Sequence, residues 1–291
     1  MLKRIILFLL SIWALLSGCE EKMDVEFDKT SEPKMVVEGS ISTDTTAHKV
    51  ILSRTSDFFS VDPQNMITNA NVSISDNEGN VFILTETEPG IYLTSPDVFG
   101  VIGREYALHI TLDDGQSFEA SDVLNDVPVI DSLKHSNNYN HFDPSMDMFG
   151  WGYDIIYYGP EPEGIGDYYM WDLYINDTLM NDTIIESIFT DDVFVDGNYI
   201  KDLELFMISE NDIHGDSAKI TLETKAISKG YYDFLTGLML ETVWKGSPWD
   251  GPPANVETNI KPEGFGYFHA YANYKKSIYV RQTERGKKAI L

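Results

Sequence analysis

Two short motifs place serine, lysine and aspartate residues at the spacing of a serine β-lactamase. Ser31-Glu32-Pro33-Lys34 fits S-x-x-K and Ser75-Asp76-Asn77 fits S-D-N, but the third signature, K-T-G, does not occur in the sequence. Ser31 also lies in a charged segment before Pro33, whereas the nucleophile of such an enzyme begins a buried helix on which the lysine activates it. We interpret both motifs as chance matches and predict that the protein is not an enzyme.

Acidic residues and histidines offer few arrangements that would hold a metal ion. The sequence contains no H-E-x-x-H, and its six histidines include no i, i+4 pair. Asp192 and Asp196 have the spacing of a calcium loop, but Phe194 stands where that loop needs an oxygen ligand, so we interpret the segment as a hairpin turn. A second group is interpreted as an acidic loop: Asp143, Asp147, Asp154, His135 and His141. We therefore predict no metal and no cofactor.

The single cysteine, Cys19, ends a segment with the order of a lipoprotein signal peptide. Lys3 and Arg4 precede an apolar run at 5–16, which is shorter than the roughly 20 residues that span a bilayer. Leu16-Ser17-Gly18-Cys19 then matches the bacterial lipobox. The sequence predicts a signal peptide at 1–18 and acyl chains, palmitate among them, on Cys19, since several chains are needed for stable anchoring. A chain with one cysteine also has no intrachain disulfide.

Large aromatic side chains near glycine and proline predict a binding surface. We name four as candidates: Trp151, Trp244, Trp249 and Tyr267. Aromatic rings on constrained loops stack on sugars, peptides or a partner protein with little loss of side-chain entropy. The alternative is that these rings close the open ends of a β-sandwich.

A short pattern of Asp, Ser or Thr, and a small or aliphatic residue occurs five times. It resembles the O-glycosylation sequon of secreted proteins of Bacteroidota. The candidate acceptors are Thr45, Ser132, Thr178, Thr183 and Ser217. Because so short a pattern also arises by chance, we predict that some of these positions are modified rather than all.

The elements that carry these residues are mostly β-strands. Tyr106, Leu108, Ile110 and Leu112 give the longest strict alternation of apolar and polar residues, and turn residues recur about every ten positions. This pattern predicts a transthyretin-like or Ig-like antiparallel sandwich, followed by a second β-rich domain with one helix. The predicted segments are a tether at 19–34, the sandwich at 35–124, a linker at 125–131, the second domain at 132–274 with its helix near 228–243, and a basic tail at 275–291.

The charge balance excludes one class of partner. Forty-seven acidic residues and 21 basic ones give a net charge of −26. Such a surface repels phosphate backbones, so we predict no binding to nucleic acid.

Three parts of the sequence resemble one family. They are the lipobox, the segment Val36-Val37-Glu38-Gly39-Ser40-Ile41, and the stretch from Gly246-Ser247-Pro248-Trp249 to Gly264-Phe265-Gly266-Tyr267-Phe268. It is a lipoprotein family of Bacteroidota, catalogued as the domain of unknown function DUF4249, whose genes typically lie beside TonB-dependent receptors. The resemblance implies a lipid-anchored accessory or ligand-capture partner of such a receptor in nutrient uptake. It transfers only Cys19, as the lipid site, and names no ligand.

Two further expectations concern the place and role of the protein. Glu20 and Glu21 after the acylated cysteine resemble an export signal of surface lipoproteins, which predicts a location on the outer membrane facing the cell exterior. The alternative location is the periplasmic face of that membrane. The alternative function is a structural anchor or adhesin subunit of a fimbria-like assembly.

Overall fold

The computed structural model describes residues 33–56, 65–143, 148–242 and 256–282, and only the backbone of 138–143 and 148–151. These residues form sixteen β-strands, one α-helix and two short 3-10 helices. The predicted fold class is confirmed: the protein is mostly β, with a sandwich-like arrangement and one helix. The helix expected near 228–243 is α1, Lys229–Thr242.

The first eight strands lie within the segment predicted as the sandwich. They are β1 Met35–Ser42, β2 Lys49–Arg54, β3 Asn65–Met66, β4 Asn71–Asp76, β5 Val81–Glu88, β6 Ile91–Leu93, β7 Glu105–Thr111 and β8 Ser117–Val123. In β7 the apolar side chains of Tyr106, Leu108 and Ile110 are buried and their neighbours are more exposed. The strict alternation in the sequence therefore becomes a strand with one core face and one outer face.

The remaining strands follow the segment predicted as a linker. They are β9 Ser132–Asp143, β10 Met148–Pro160, β11 Tyr168–Ile175, β12 Thr178–Leu179, β13 Ile188–Asp191, β14 Tyr199–Ser209, β15 Ser217–Ile227 and β16 Gly264–Arg281. The 3-10 helices are Ile184–Glu186 and Glu210–Asp212. Because β16 continues to Arg281, the first part of the predicted basic tail is strand.

One large sheet contains most of these strands. Its order is β12-β11-β15-β16-β1-β2-β6-β5-β4-β7-β8, with β13 paired to β11 and β3 paired to β2. A separate sheet has the order β14-β10-β9. Within the described residues, β1 and β16 form the parallel pair, and the other strand pairs are antiparallel.

The parallel pair of β1 and β16 depends on a glycine. Gly266 has φ +83°, a conformation that residues with a side chain rarely adopt. A Cβ atom there would lie 2.0 Å from the carbonyl oxygen of Val37. Glycine therefore lets β16 lie directly against β1, and this brings the last described strand to the first.

Two hydrophobic cores lie against this sheet. The first contains apolar residues of β1, β2, β4 to β8 and β16, with Phe268 and Ala270 fully buried. The second is formed by residues of β9 to β11, β14, β15 and the end of β16, including Trp171 and Val280. Strand β16 thus contributes to both cores. The division into domains at 35–124 and 132–274 stays a prediction.

Candidate functional site

The predicted site residues fall into three groups. Cys19, Trp244 and Trp249 lie outside the described residues. Trp151 belongs to β10, in the part of that strand where only the backbone is described. Tyr267 lies on β16 beside α1, and among the four predicted binding aromatics it is the one whose side chain the structure describes.

Helix α1 packs on the face of the sheet that points away from the cores. Along β16, Phe268 and Ala270 point to the first core, so the alternate side chains of Tyr267, His269 and Tyr271 lie on the opposite face. The spacing of Tyr231, Phe234, Leu235 and Leu238 places an apolar stripe on one side of the helix. The two faces meet and form a second, more polar layer.

Aromatic rings join the helix to β16 in a continuous cluster. The rings of Tyr231 and His269 are stacked, with centroids 3.9 Å apart and planes inclined by 13°. His269 also stacks on Tyr271 at 5.2 Å, and Tyr267 lies 5.3 Å from Tyr231 and 5.2 Å from Phe234. Such ring pairs add stability beyond the area that they bury, so this cluster fixes the helix against the strand.

A buried ion pair lies beside the ring cluster. Lys225 of β15 donates a hydrogen bond to Asp172 of β11, and their side chains are only 11% and 6% exposed. The ammonium group lies 5.0 Å from the ring centroid of Tyr271. Burial alone would lower the pKa of Lys225, but the neighbouring Tyr271, Asp172 and Glu223 outweigh burial and raise that pKa. The raised pKa keeps Lys225 a cation.

His269 is neutral for a related reason. Burial lowers the pKa of its imidazole to about 3, and the charge of Lys225 acts in the same direction. Its Nδ1 atom is buried and has no hydrogen-bond partner among the described residues. An unpaired buried nitrogen costs about 1–3 kcal/mol, so the ring stacking must offset a real penalty.

Two adjoining cavities open where α1 meets the sheet. The larger has a volume of about 790 Å³ and reaches from Asp172 and Leu179 to Phe265. The smaller, of about 270 Å³, lies over β1 and β2 and is bordered by Lys49 and His269. Both are lined by Glu38, Tyr231, Phe234 and Gly266. We call the two cavities together the helix groove. Its size and its mixture of apolar, aromatic and polar walls are typical of a site for a small molecule.

A group of carboxylates gathers at the turn between β13 and β14. Oxygens of Glu161, Asp192 and Asp196 lie within 4.8 Å of one another, and the first two residues are buried. The predicted hairpin is wrong, because this turn joins strands of two different sheets. Sequence reasoning missed Glu161, because β11, β12 and β13 separate it from Asp192 along the chain. Three carboxylates at this separation are ligands that a hard cation such as Ca²⁺ accepts.

The protein itself already supplies donors to these carboxylates. Gly197 N–H donates to Glu161 at 2.7 Å, Gly164 N–H donates to Asp196 at 2.6 Å, and Gly166 N–H donates to both oxygens of Asp192. Burial, followed by repulsion from Asp192 and Asp167, raises the pKa of Glu161 despite its hydrogen bonds. Backbone donors thus stabilise much of the negative charge, and the cluster orders the turn.

The predicted O-glycosylation positions all lie within the described residues. Thr45, Thr178, Thr183 and Ser217 are exposed, and Ser132 is half-buried at the start of β9. Exposure makes these hydroxyl groups accessible to a transferase. Their modification stays a prediction.

Comparison with models of protein families identifies a family for this chain. A family model described as "Domain of unknown function (DUF4249)" matches residues 20–277. No curated protein matches the chain. In the part of the chain that the structure describes, no helix is long and apolar enough to cross a membrane.

Proposed function

The chain belongs to the DUF4249 family of domains of unknown function, and from this premise we propose that it is a ligand-capture lipoprotein. In this proposal Cys19 anchors the protein to the outer membrane, facing the cell exterior. The folded part binds a small molecule in the helix groove and passes it to a TonB-dependent receptor in nutrient uptake.

The helix groove is the observation that carries this proposal. It combines apolar and aromatic walls from Phe234, Phe265 and Tyr267 with charged groups at its border, as small-molecule sites do. The buried ion pair of Lys225 and Asp172 lies next to it, since Asp172 lines the larger cavity. A rigid wall of this kind reduces the entropy lost when a ligand binds.

The ionisable groups around the groove favour binding over catalysis. Lys225 is held as a cation by its neighbours, which removes its lone pair from reaction. The imidazole of His269 lies between two tyrosine rings, and its pKa of about 3 is far below the value that suits a general base at neutral pH.

The lipid anchor explains why a modest affinity would suffice. A protein held on the same membrane as its receptor meets it at high effective concentration, so weak contacts act efficiently. The predicted tether at 19–34 leads into β1, which borders the groove through Glu38. Capture and transfer would then occur within one membrane surface.

Extraction of the protein from its own membranes tests the proposal. Mild detergent should co-purify the wild-type chain with a TonB-dependent receptor, and denaturation should release a small molecule that mass spectrometry detects. Phe234→Ala should lose the small molecule and keep the receptor, because only a wall of the groove is removed. Cys19→Ala should leave the membrane fraction.

Three outcomes would count against this function. Recovery of only free monomer after crosslinking would contradict the proposed partnership with a receptor. Absence of any enriched compound in the wild type would contradict the proposed ligand capture. Co-purification with fimbrial subunits would favour the alternative structural role.

A further inference from the structure

Two residues of opposite charge face the smaller cavity of the helix groove from neighbouring strands. In the antiparallel pair of β1 and β2, Glu38 lies opposite Ile51. Lys49 is two residues from Ile51 and therefore lies on the same face of the sheet. Glu38, Ile51 and Lys49 all line the 270 Å³ cavity. Diagonal neighbours of this kind have Cβ atoms about 7 Å apart, so one small molecule spans both.

Neither charge is neutralised by a residue that the structure describes. Among the described residues, Glu38 and Lys49 form no hydrogen bond through their side chains and no ion pair, either with each other or with a third residue. Lysines elsewhere differ: Lys219 pairs with Asp177, Lys229 with Asp233 and Lys275 with Asp44. The two charges at the cavity are thus available to a ligand.

Aromatic rings line the same cavity as these two charges. Tyr231, Phe234 and Tyr267 are mutually in contact, with centroids 5.2–6.0 Å apart, and all three line the cavity. A ring face attracts a cation placed over it, and it also buries an apolar group. An ammonium group near Glu38 would therefore also lie near Tyr231.

We propose that the smaller cavity binds a zwitterion, an amino acid or a short peptide, with its ammonium group at Glu38 and its carboxylate at Lys49. The apolar side chains of the ligand extend along Phe234 into the larger cavity. A ligand with one charge would satisfy only one of the two residues, and an uncharged ligand neither. This inference rests on the proposed capture function and gives its ligand a chemical class.

Calorimetric titration of the full lipidated chain in detergent micelles tests the proposal. The probes are free phenylalanine, the dipeptide Leu-Phe, N-acetyl-Leu-Phe and Leu-Phe amide. Leu-Phe should bind, and each blocked form should bind up to about fivefold more weakly, the effect of one partly exposed ion pair. Binding of free phenylalanine as tightly as Leu-Phe would assign the site to amino acids, and weaker binding would assign it to peptides.

Variants assign each end of the ligand to its residue. Glu38→Gln should weaken the binding of Leu-Phe, and N-acetyl-Leu-Phe should then bind as tightly as Leu-Phe. Leu-Phe amide should still bind more weakly than Leu-Phe to this variant. Lys49→Gln should also weaken the binding of Leu-Phe, but here Leu-Phe amide should bind as tightly as Leu-Phe and N-acetyl-Leu-Phe should bind more weakly. The matched controls are Glu88→Gln and Lys201→Gln, exposed residues away from the groove, which should leave all affinities unchanged.

Two results would overturn the zwitterion proposal. One is equal binding of the free and blocked dipeptides; the other is a loss of affinity in Glu38→Gln or Lys49→Gln that is the same for every probe. If the wild-type chain still carries an enriched compound from its own membranes and Phe234→Ala does not, ligand capture stands and only its proposed chemistry fails. If the wild-type chain carries no enriched compound, the ligand-capture function and the zwitterion proposal both fail.

Discussion

Strands β7 and β15 are both central strands of the same sheet, yet they bury their residues differently. In β7 the buried side chains of Tyr106, Leu108 and Ile110 alternate with residues that are more exposed. In β15 every residue from Ile220 to Ile227 is buried. The reason is that α1 crosses the second face of β15, with Tyr232 against Tyr168 of β11 and Tyr231 against His269 of β16.

This difference shows where polar residues have a special role. A charged residue on the outer face of β7 stays in water at little cost, whereas Glu223 and Lys225 on β15 are buried. Each of them keeps a partner: Lys225 binds Asp172, and Glu223 accepts hydrogen bonds from Tyr174 and Asn273. The face covered by the helix is therefore an organised polar layer, and it borders the proposed binding site.

The largest expected effect comes from breaking the buried ion pair. Lys225→Met leaves the Asp172 carboxylate buried without its cation, which should lower the free energy of unfolding by about 3–5 kcal/mol. Lys219→Met, on the same strand but in an exposed pair with Asp177, is the matched control and should change stability little. Chemical denaturation measures both.

Equal losses of unfolding free energy in these two variants would contradict this interpretation, because they would mean that the face covered by the helix is as hydrated as an ordinary surface. The double variant with Lys225→Met and Asp172→Leu should recover much of the lost stability, since apolar side chains of similar size replace a buried pair at low cost.

A smaller effect is expected from the core of the first region. Leu108 is fully buried, so Leu108→Ala should cost about 2–5 kcal/mol through lost burial and a cavity. Ile83 of β5 is 77% exposed, and Ile83→Ala should stay within about 0.5 kcal/mol. Thermal or chemical unfolding gives both values. A large loss in Ile83→Ala would show that a partner or another segment covers this outer face.

The smallest effect depends on pH and concerns the contact between β8 and β16. Asp122 of β8 accepts a hydrogen bond from the Ala270 N–H at 2.9 Å, and burial raises its pKa to about 6. The folded protein therefore keeps this proton up to a higher pH than the unfolded chain does. Its contribution to stability is complete below about pH 4, is lost as pH rises through 6, and is constant above that.

Asp122→Asn tests this contribution. An amide stays neutral and its oxygen still accepts the Ala270 N–H, so the variant should be more stable at pH 7.5 by about 1–3 kcal/mol and should lose the decline between pH 4 and 6. Unfolding measured across that range decides the matter. An unchanged slope in the variant would mean that another group titrates.

Much of the fold could be predicted from local patterns. The alternation around Leu108 predicted β7, and the helix predicted near 228–243 is α1, which begins one residue later and ends one residue earlier. These patterns are local, because each element shows its own period in consecutive residues. The strand at the start of the predicted tail at 275–291 was harder to predict, because its basic residues mask the alternation of a strand that continues to Arg281.

The site was less accessible to sequence reasoning. The sequence predicts Tyr267 as a binding residue, but it does not mark Tyr231 and Phe234, which line the same cavity. The parallel pairing of β1 with β16 joins residues that are far apart along the chain, so no local pattern reveals it. Lys225 and Asp172 alternate with apolar residues as surface residues do, and only the position of α1 shows that they are buried.

A structure of the protein purified with the compound that it carries from its own membranes would show where that compound binds. We expect ligand density in the helix groove, in contact with Tyr231 and Phe234 and between Glu38 and Lys49. Density elsewhere would contradict it, for example in the 460 Å³ cavity beside Ile83 and Phe99 on the first region, with the helix groove empty.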